Sequence, residues 1–410
     1  MSAVAVWAIV LASLGCVLFR PWGMREWIPA MAGAVLLMLC GALSPGAALG
    51  AVGQGGDVYL FLIGMMLLAE LAASQGVFAW AAGLVARAAN GSAPRLFVLI
   101  YAMAVLVTVF LSNDATAVVF TPAVATMVAT VRAENRLPFL LICAFVANAA
   151  SFVLPISNPA NLVVFAAAMP DLRHWLAAFG LAAVAAIGVT FLLLWLTQRR
   201  GLRQSLAVPA AVEPLSPGGR LTLAGLGGMA VLLLAASGLG WRLGPPTFCG
   251  GLGTAALVAV ITRAPVWRLA REISWGVLPL VAGLFVMVGA LDRLGLAAQL
   301  GDWLRAAPGG AFWTVGLGLA GLSNLVNNLP AGLLAGHALG HAGQGVTGAA
   351  LIGVDLGPNL SITGSLATLL WLNALRRNGL SVSAWRFLRL GAVVMPPALL
   401  AALAALRLAG

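Results

Sequence analysis

The sequence contains no lysine, and only 8% of its 410 residues are charged, whereas soluble globular proteins carry about 25%. All 22 basic residues are arginines, and only 11 residues are acidic. Hydrophobic residues make up 62% of the chain. This composition predicts an integral membrane protein. The net charge of +11 is then explained by cytoplasmic loops, which are rich in basic residues, rather than by nucleic-acid binding.

Cysteine and histidine are also scarce, which excludes a disulfide scaffold and leaves little for metal chemistry. The four cysteines stand singly in apolar segments and are predicted to be small core residues, at positions Cys16, Cys40, Cys143 and Cys249. A thiolate cage for a soft metalloid would need two or three of them to converge. His337 and His341 have metal-pair spacing but no third ligand nearby, so we expect them to be solvated and predict no metal and no cofactor.

Enzyme signatures are absent too. The chain has no Gly-x-Ser-x-Gly, HExxH or Walker pattern, so we predict that it is not an enzyme and cannot hydrolyse ATP alone. What the chain has instead is a series of apolar runs close to the length of about 20 residues that a spanning helix needs. Eight of them are uninterrupted: 2–19, 28–50, 58–82, 175–197, 221–240, 244–262, 274–291 and 390–409.

Two longer regions, 96–169 and 308–375, carry polar residues and prolines inside apolar sequence. If Arg20 is cytoplasmic, the positive-inside rule places both ends of the stretch 96–131 inside. This stretch is therefore predicted to be a re-entrant hairpin of two short helices. The next stretch, 137–169, would be about 50 Å long as one helix, too long for a hydrocarbon core of about 30 Å, so a single crossing with an unwound middle is expected.

The second half repeats this order in the opposite sense, with a hairpin at 308–341 and a broken helix at 345–375. The sequence thus predicts an all-α polytopic membrane protein with two inverted-topology halves of five crossings each, 1–197 and 221–410, joined by a cytoplasmic linker, 198–220. Both termini are then outside. Of the 22 arginines, 17 lie inside and 5 outside, namely Arg173, Arg242, Arg293, Arg305 and Arg407.

Polar residues concentrate at the four predicted breaks. Irregular backbone at membrane depth must be buried in protein or line a wet cavity, so these residues are candidates for a binding site. Helix packing is the other explanation for asparagines in a membrane. The predicted substrate-binding residues are Asn113, Thr116, Ser157, Asn158, Asn161, Asn327, Asn328, Thr363, Gly364 and Ser365. In the alignment of the two halves, Asn113-Asp114 pairs with Asn327-Asn328.

Three acids lie in otherwise apolar sequence and are predicted to carry protons: Asp114, Asp355 and Glu70. A carboxylate at the centre of a membrane helix costs about 2.5–3.5 kcal/mol, and intramembrane acids usually mark ion or proton pathways. The alternative for Asp114 and Asp355 is that each caps the N-terminus of a half-helix, a position that aspartate favours.

Four motifs resemble the arsenite/antimonite efflux permease family (ArsB) of the ion transporter superfamily, and the resemblance covers essentially the whole chain. They are residues 110–116 (FLSNDAT), 154–161 (LPISNPAN), 327–330 (NNLP) and 355–371 (DLGPNLSITGSLATLLW). The resemblance implies efflux of arsenite and antimonite across the inner membrane. The driving force would be exchange for protons by alternating access or, in some organisms, a soluble ATPase partner.

Substrate chemistry agrees with this expectation. Arsenous acid is a neutral tri-hydroxy species at cellular pH, best held by hydrogen-bonding groups, and no arginine falls among the breaks. A sodium/proton antiporter of the same superfamily is the alternative, since paired acids suit it equally. A channel or a dicarboxylate carrier is more remote, because a dianion would be expected to need cationic help. Protons and membrane lipid are the other expected partners, and no nucleic acid is.

Overall fold

The computed structural model describes residues 2–166, 168–209, 211–263, 270–296, 298, 299, 302, 311–339 and 343–409. Within these residues the regular structure is helical, which confirms the all-α prediction, and one isolated bridge joins Ser92 to Ser205. The helices of the first half are α1 (Ala3–Phe19), α2 (Trp27–Leu39), α3 (Pro45–Gln54), α4 (Gly56–Ser74), α5 (Val77–Ala89), α6 (Ala93–Phe110), α7 (Asn113–Ala115), α8 (Thr121–Thr130), α9 (Leu137–Ala149), α10 (Pro159–Val164) and α11 (Leu172–Gln198).

The second half has a similar series, within its described residues. Its helices are α12 (Pro217–Gly238), α13 (Gly244–Thr262), α14 (Val277–Asp292), α15 (Ala311–Val326), α16 (Asn328–Ala338), α17 (Gln344–Leu356), α18 (Leu366–Arg377) and α19 (Ala384–Ala409). Several helices begin where a serine or aspartate accepts a hydrogen bond from the first turn, as for Ser92 at α6 and Asp171 at α11. The predicted linker 198–220 is shorter in the structure, because α12 already begins at Pro217.

Six of the described helices are long and apolar enough to cross a membrane: α4, α6, α11, α12, α13 and α19. Two predicted spans, 28–50 and 58–82, are not single helices. The first divides into α2 and α3 around Gly41, which has φ of 73°, and Pro45 then starts the new helix. The second divides into α4 and α5 at Gly76, which also has φ of 73°, a conformation that glycine adopts without steric cost.

Both predicted hairpins have two helical limbs. In the first, α6 is followed by an interruption at Leu111 and Ser112, then by α7, a π-helical turn (Thr116–Phe120) and α8. In the second, α15 and α16 meet at Asn327. Its ends, 308–310 and 340–341, and with them His341, lie outside the described residues. The limbs are longer than the short helices expected, since α6 alone has 18 residues.

Both predicted broken helices are broken. The first consists of α9, an irregular segment containing a 3₁₀ turn (Pro155–Ser157), and α10. The second consists of α17, a 3₁₀ turn (Gly357–Leu360), an extended segment and α18. Proline stands at the start of each 3₁₀ turn, where its missing N–H leaves no donor unpaired.

Two pairs of packed helices join the two halves. Helix α4 packs on α13 of the second half, and α14 packs on α2 of the first. Glycine allows both contacts: a Cβ atom at Gly64 would collide with the carbonyl oxygen of Thr247, and one at Gly283 would lie 2.7 Å from the backbone of Ala30. Gly64 and Gly283 therefore each allow a close approach between helices of the two halves.

We expect Gly64→Ala to destabilise the protein, because the added methyl group meets backbone atoms of α13 that cannot move alone. Overpacking of this kind typically costs about 1–3 kcal/mol. Thermal unfolding in detergent measures the effect. Gly227→Ala on α12 is the matched control, since a Cβ atom there meets nothing within 4 Å. An equal midpoint for the two variants would contradict the close-packing explanation.

Candidate functional site

At three of the four breaks, the last residue before the next helix caps that helix with its side chain. Ser112 Oγ accepts from the N–H of Ala115, Asn158 Oδ1 accepts from the N–H of Ala160, and Ser365 Oγ accepts from the N–H of Thr368. Asp114 and Asp355 do not cap helices, so that alternative for the two acids is wrong. Asp114 lies within the first turn of α7, and Asp355 lies near the C-terminal end of α17.

Asp355 is fully buried and joins the two halves. Its Oδ1 accepts a hydrogen bond of 2.8 Å from Asn158 Nδ2, and its Oδ2 lies 2.7 Å from Ser151 Oγ. Both partners belong to the break of the first half. The C-terminal end of a helix disfavours a negative charge, so α17 itself gives an ionised Asp355 no support.

Asn148 occupies the equivalent position in the first half. It stands one residue before the end of α9, just as Asp355 stands one residue before the end of α17. Its Nδ2 donates across to Asn359 Oδ1 at 3.0 Å and to Thr368 Oγ1 at 3.3 Å, both at the break of the second half. Each broken helix therefore hydrogen bonds to the break of the other half. The amide of Asn148 makes this contact from the first half, and the carboxyl group of Asp355 makes it from the second.

The remaining polar residues of the first break hold irregular backbone together. Asn161 Nδ2 donates to the carbonyl oxygens of Ser151, Leu154 and Pro155, all of which lie in the irregular segment before α10. Ser157 Oγ accepts from the N–H of Leu154 and donates to the carbonyl oxygen of Val109 on the hairpin. Both side chains are fully buried, so their main visible role is structural.

The second break is organised around Asn324, which was not among the predicted binding residues. Its Nδ2 donates to the carbonyl oxygens of Ala320 and Gly357, and its Oδ1 accepts from Ser361 Oγ at 2.6 Å. Thr363 Oγ1 donates to the carbonyl oxygen of Asn324. Gly364 leaves room for this packing, because a Cβ atom there would lie 2.8 Å from Asn324 Oδ1. The sequence places Asn324 among the polar residues near this break but does not distinguish it from Asn327 and Asn328.

The two hairpins correspond to each other with a shift of one residue from the sequence alignment. Asn327 precedes α16 as Ser112 precedes α7, and both have positive φ, so Asn113 corresponds to Asn328, one residue away from the sequence alignment. Asn327 Nδ2 donates weakly to the carbonyl oxygen of Thr363 at 3.4 Å. In the first hairpin, Thr116 Oγ1 lies 2.8 Å from Thr108 Oγ1 and starts a π-helical turn, a feature frequent at functional sites.

A cavity of about 80 Å³ lies where the first hairpin meets α4, and it has room for several water molecules. Three acids line it: Glu70 of α4 and Asp114, both half-buried, and Glu272, which is exposed. The first residues of α10 and α18 line it too. The structure thus brings Glu70 and Asp114 to one cavity, adds Glu272, and leaves Asp355 outside its lining.

Among the residues that the structure describes, no arginine lines this cavity, and the hydrogen-bonded residues of the breaks are uncharged apart from the acids. Nor do thiols form a cluster: within the described part of the chain, no three of the cysteine, histidine or acidic side chains come together at a metal-binding distance. The site therefore offers oxygen and amide groups, with acidic groups as its sources of charge.

A family model described as CitMHS, citrate transporter, matches residues 9–355. The chain belongs to the citrate transporter family. The resemblance to the arsenite/antimonite efflux permeases is confirmed as well, because the arsenical pump membrane protein of Yersinia enterocolitica is 30% identical over 84% of this chain and 85% of its own length.

Two further relatives extend this similarity over nearly the full length. The arsenical pump membrane protein of Escherichia coli strain K12 is 28% identical over 98% of this chain and 97% of its own. The putative arsenical pump membrane protein of Bacillus subtilis strain 168 is 25% identical over 93% of both chains. The protein is therefore a multi-pass membrane transporter.

A solved structure supports the fold. The YdaH transporter of Alcanivorax borkumensis, described as having an unusual topology, superposes with a TM-score of 0.55 over 91% of this chain and 87% of its own, at 17% identity. At that identity the match concerns the fold alone. It agrees with the membrane-transporter architecture predicted from the sequence.

Proposed function

We propose that the protein exports arsenite and antimonite from the cytoplasm in exchange for protons, by alternating access. The observation that carries the proposal is the full-length similarity to arsenical pump membrane proteins. A cavity whose described lining contains acids and no arginine is consistent with it. A neutral trihydroxide needs hydrogen-bonding groups and no countercharge. The acids of the cavity are then available for protons.

The family description names citrate, and a citrate carrier is the second candidate for that reason. The chemistry of the cavity argues against it, because Glu70, Asp114 and Glu272 would repel a multiply charged anion and the described lining contains no arginine to offset them. A sodium/proton antiporter is a third candidate, since the same acids are suited to cation exchange.

The deciding experiment uses everted inner-membrane vesicles from a host that lacks arsenite transporters. Addition of NADH acidifies the vesicle interior, and we expect antimonite and arsenite to accumulate above equilibrium and to leak out when the pH gradient is collapsed.

Accumulation of citrate or sodium instead would support the corresponding alternative. Transport that never exceeds equilibrium would indicate a channel. Uptake that depends on ATP and an added soluble ATPase would indicate that this chain works as a subunit of a pump.

The four cysteines are not expected to bind substrate. Cys143 is buried in α9, Cys40 and Cys249 are exposed, and no three of the cysteines converge within the described residues. A variant with all four replaced by alanine is expected to keep most of its antimonite transport in the vesicle assay. If the cysteine-free protein folds and reaches the membrane fraction at a normal level but loses transport, the substrate is bound by thiolates rather than by hydrogen bonds.

The proposed orientation places both termini outside the inner membrane and the linker 198–220 inside. Val208 in this linker is 54% exposed and suits a single-cysteine reporter, introduced in the cysteine-free protein. We expect the thiol of Val208→Cys to react with an impermeant reagent in everted vesicles but not in intact spheroplasts. The reverse result would invert the topology.

A further inference from the structure

The carboxyl group of Asp355 lies at the junction of the two halves without any charged partner. Helix α17 packs against α9, α10, α11, α15, α16 and α19. The ionisable side chains on these helices are Cys143, Arg173, His174, His337, Arg386, Arg389 and Arg407, and none of them hydrogen bonds or ion-pairs with Asp355 in the described structure. Among the described residues, Ser151 and Asn158 are the hydrogen-bond partners of the carboxyl group.

The orientation of Asn158 fixes the role of one carboxyl oxygen. Asn158 Oδ1 accepts from the N–H of Ala160 at 3.0 Å, so its Nδ2 must be the atom that faces Asp355 Oδ1 at 2.8 Å. An amide nitrogen donates and does not accept, and Asp355 Oδ1 is therefore an acceptor. Because a carbonyl oxygen is a stronger acceptor than a hydroxyl oxygen, this bond favours Oδ2 as the site of a proton on the carboxyl group.

Ser151 Oγ makes two short contacts that one hydroxyl hydrogen cannot satisfy. It lies 2.7 Å from Asp355 Oδ2 and 2.7 Å from the carbonyl oxygen of Asn148. Both distances are those of O–H···O hydrogen bonds, and each needs its own hydrogen. Ser151 supplies one, and the carbonyl oxygen supplies none. A protonated Asp355 would supply the second hydrogen.

We propose that Ser151 is a positioning residue that holds Asp355 in its protonated form, through the chain Asp355 Oδ2–H to Ser151 Oγ–H to the carbonyl oxygen of Asn148. Loss of the proton turns the single hydrogen of Ser151 toward the carboxylate. Ser151 Oγ and the Asn148 oxygen are then two acceptors in contact, which repel each other. Protonation of Asp355 thus stabilises this contact between the halves, and deprotonation weakens it.

This proposal adds detail to the proposed proton exchange. It can be tested without a transport assay, because the hydrogen bonds of Asp355 do not involve the substrate. Infrared spectroscopy of the purified protein at neutral pH is the test. We expect a C=O stretching band of a protonated, hydrogen-bonded carboxyl group, which Asp355→Asn removes. Ser151→Ala keeps the acid and is expected to move this band to higher frequency, because the carboxyl group no longer donates a hydrogen bond.

Asp292→Asn, at an exposed helix end, is the control that leaves the band unchanged. A band that survives Asp355→Asn, or one that Ser151→Ala does not shift, overturns the proposal. If Asp355→Asn fails to fold, the shift in Ser151→Ala decides alone. The two proposals fail separately: a shifted band in a protein that transports no arsenical refutes only the proposed function, and normal antimonite exchange with no such band refutes only the role of Ser151.

Discussion

Everted vesicles carrying Asp114→Asn are expected to lose NADH-driven accumulation of antimonite while the purified variant still binds it. Asp114 lies half-buried in the acidic cavity, and no side chain of another residue hydrogen bonds its carboxyl group in the described structure. Asparagine keeps the size of the side chain but cannot take up and release a proton. A coupling free energy of about 1–3 kcal/mol corresponds to about 5–150-fold, so a fall of about tenfold or more is expected.

Two variants sharpen this test. Asp292→Asn makes the same chemical change away from the cavity and is expected to transport normally. Glu70→Gln changes another acid of the same cavity and reports whether the proton is shared between the two. Full pH-driven accumulation by Asp114→Asn would show that the proton does not pass through this residue. Loss of binding together with transport would instead place Asp114 among the substrate ligands.

The second large effect is expected from Asn148→Asp, which places an acid at the position equivalent to Asp355. Asn148 donates to Asn359 Oδ1, and Asn359 cannot reverse its amide without losing its own bond to the carbonyl oxygen of Phe145, at 2.9 Å. A carboxylate at position 148 would therefore face an acceptor. Of the two partners of Asn148, only the hydroxyl of Thr368 could donate to it. Removing one partner of a buried ion pair costs about 3–5 kcal/mol, and a buried carboxylate with a single neutral donor is also poorly supported, so we expect much lower thermal stability in detergent at neutral pH.

Asp355→Asn is the matched control for this change, because it is the same exchange in reverse at the equivalent position. Its amide oxygen can accept from Asn158 and its amide nitrogen can donate to Ser151, so we expect a folded protein with a smaller loss of stability. Acidification is expected to restore part of the stability of Asn148→Asp, since a protonated carboxyl group can donate to Asn359. Equal unfolding midpoints for the two variants at neutral pH would contradict this network.

The residues that correspond between the two halves differ in the structure from those that the sequence alignment paired. Sequence similarity paired Asn113 with Asn327, whereas the helix starts pair Asn113 with Asn328. The equivalence of Asn148 and Asp355 was not visible, because the two residues differ in type and lie in segments with few matching neighbours. It appears only when both are counted from the ends of α9 and α17.

The amino-acid sequence by itself determined the helical class, the membrane environment and the resemblance to the arsenite/antimonite efflux permeases. Apolar runs, prolines and arginines are local signals, and they fix where a helix can start, stop or cross. The tertiary structure alone decided what the polar residues do. Asn158 and Ser365 cap helices, and Asn161 donates to carbonyl oxygens of the irregular segment before α10. Ser151 lies beside Asp355. The physical reason is that a hydrogen bond between the halves depends on side chains about 200 residues apart, such as Ser151 and Asp355, whose approach only the packing of the folded helices determines.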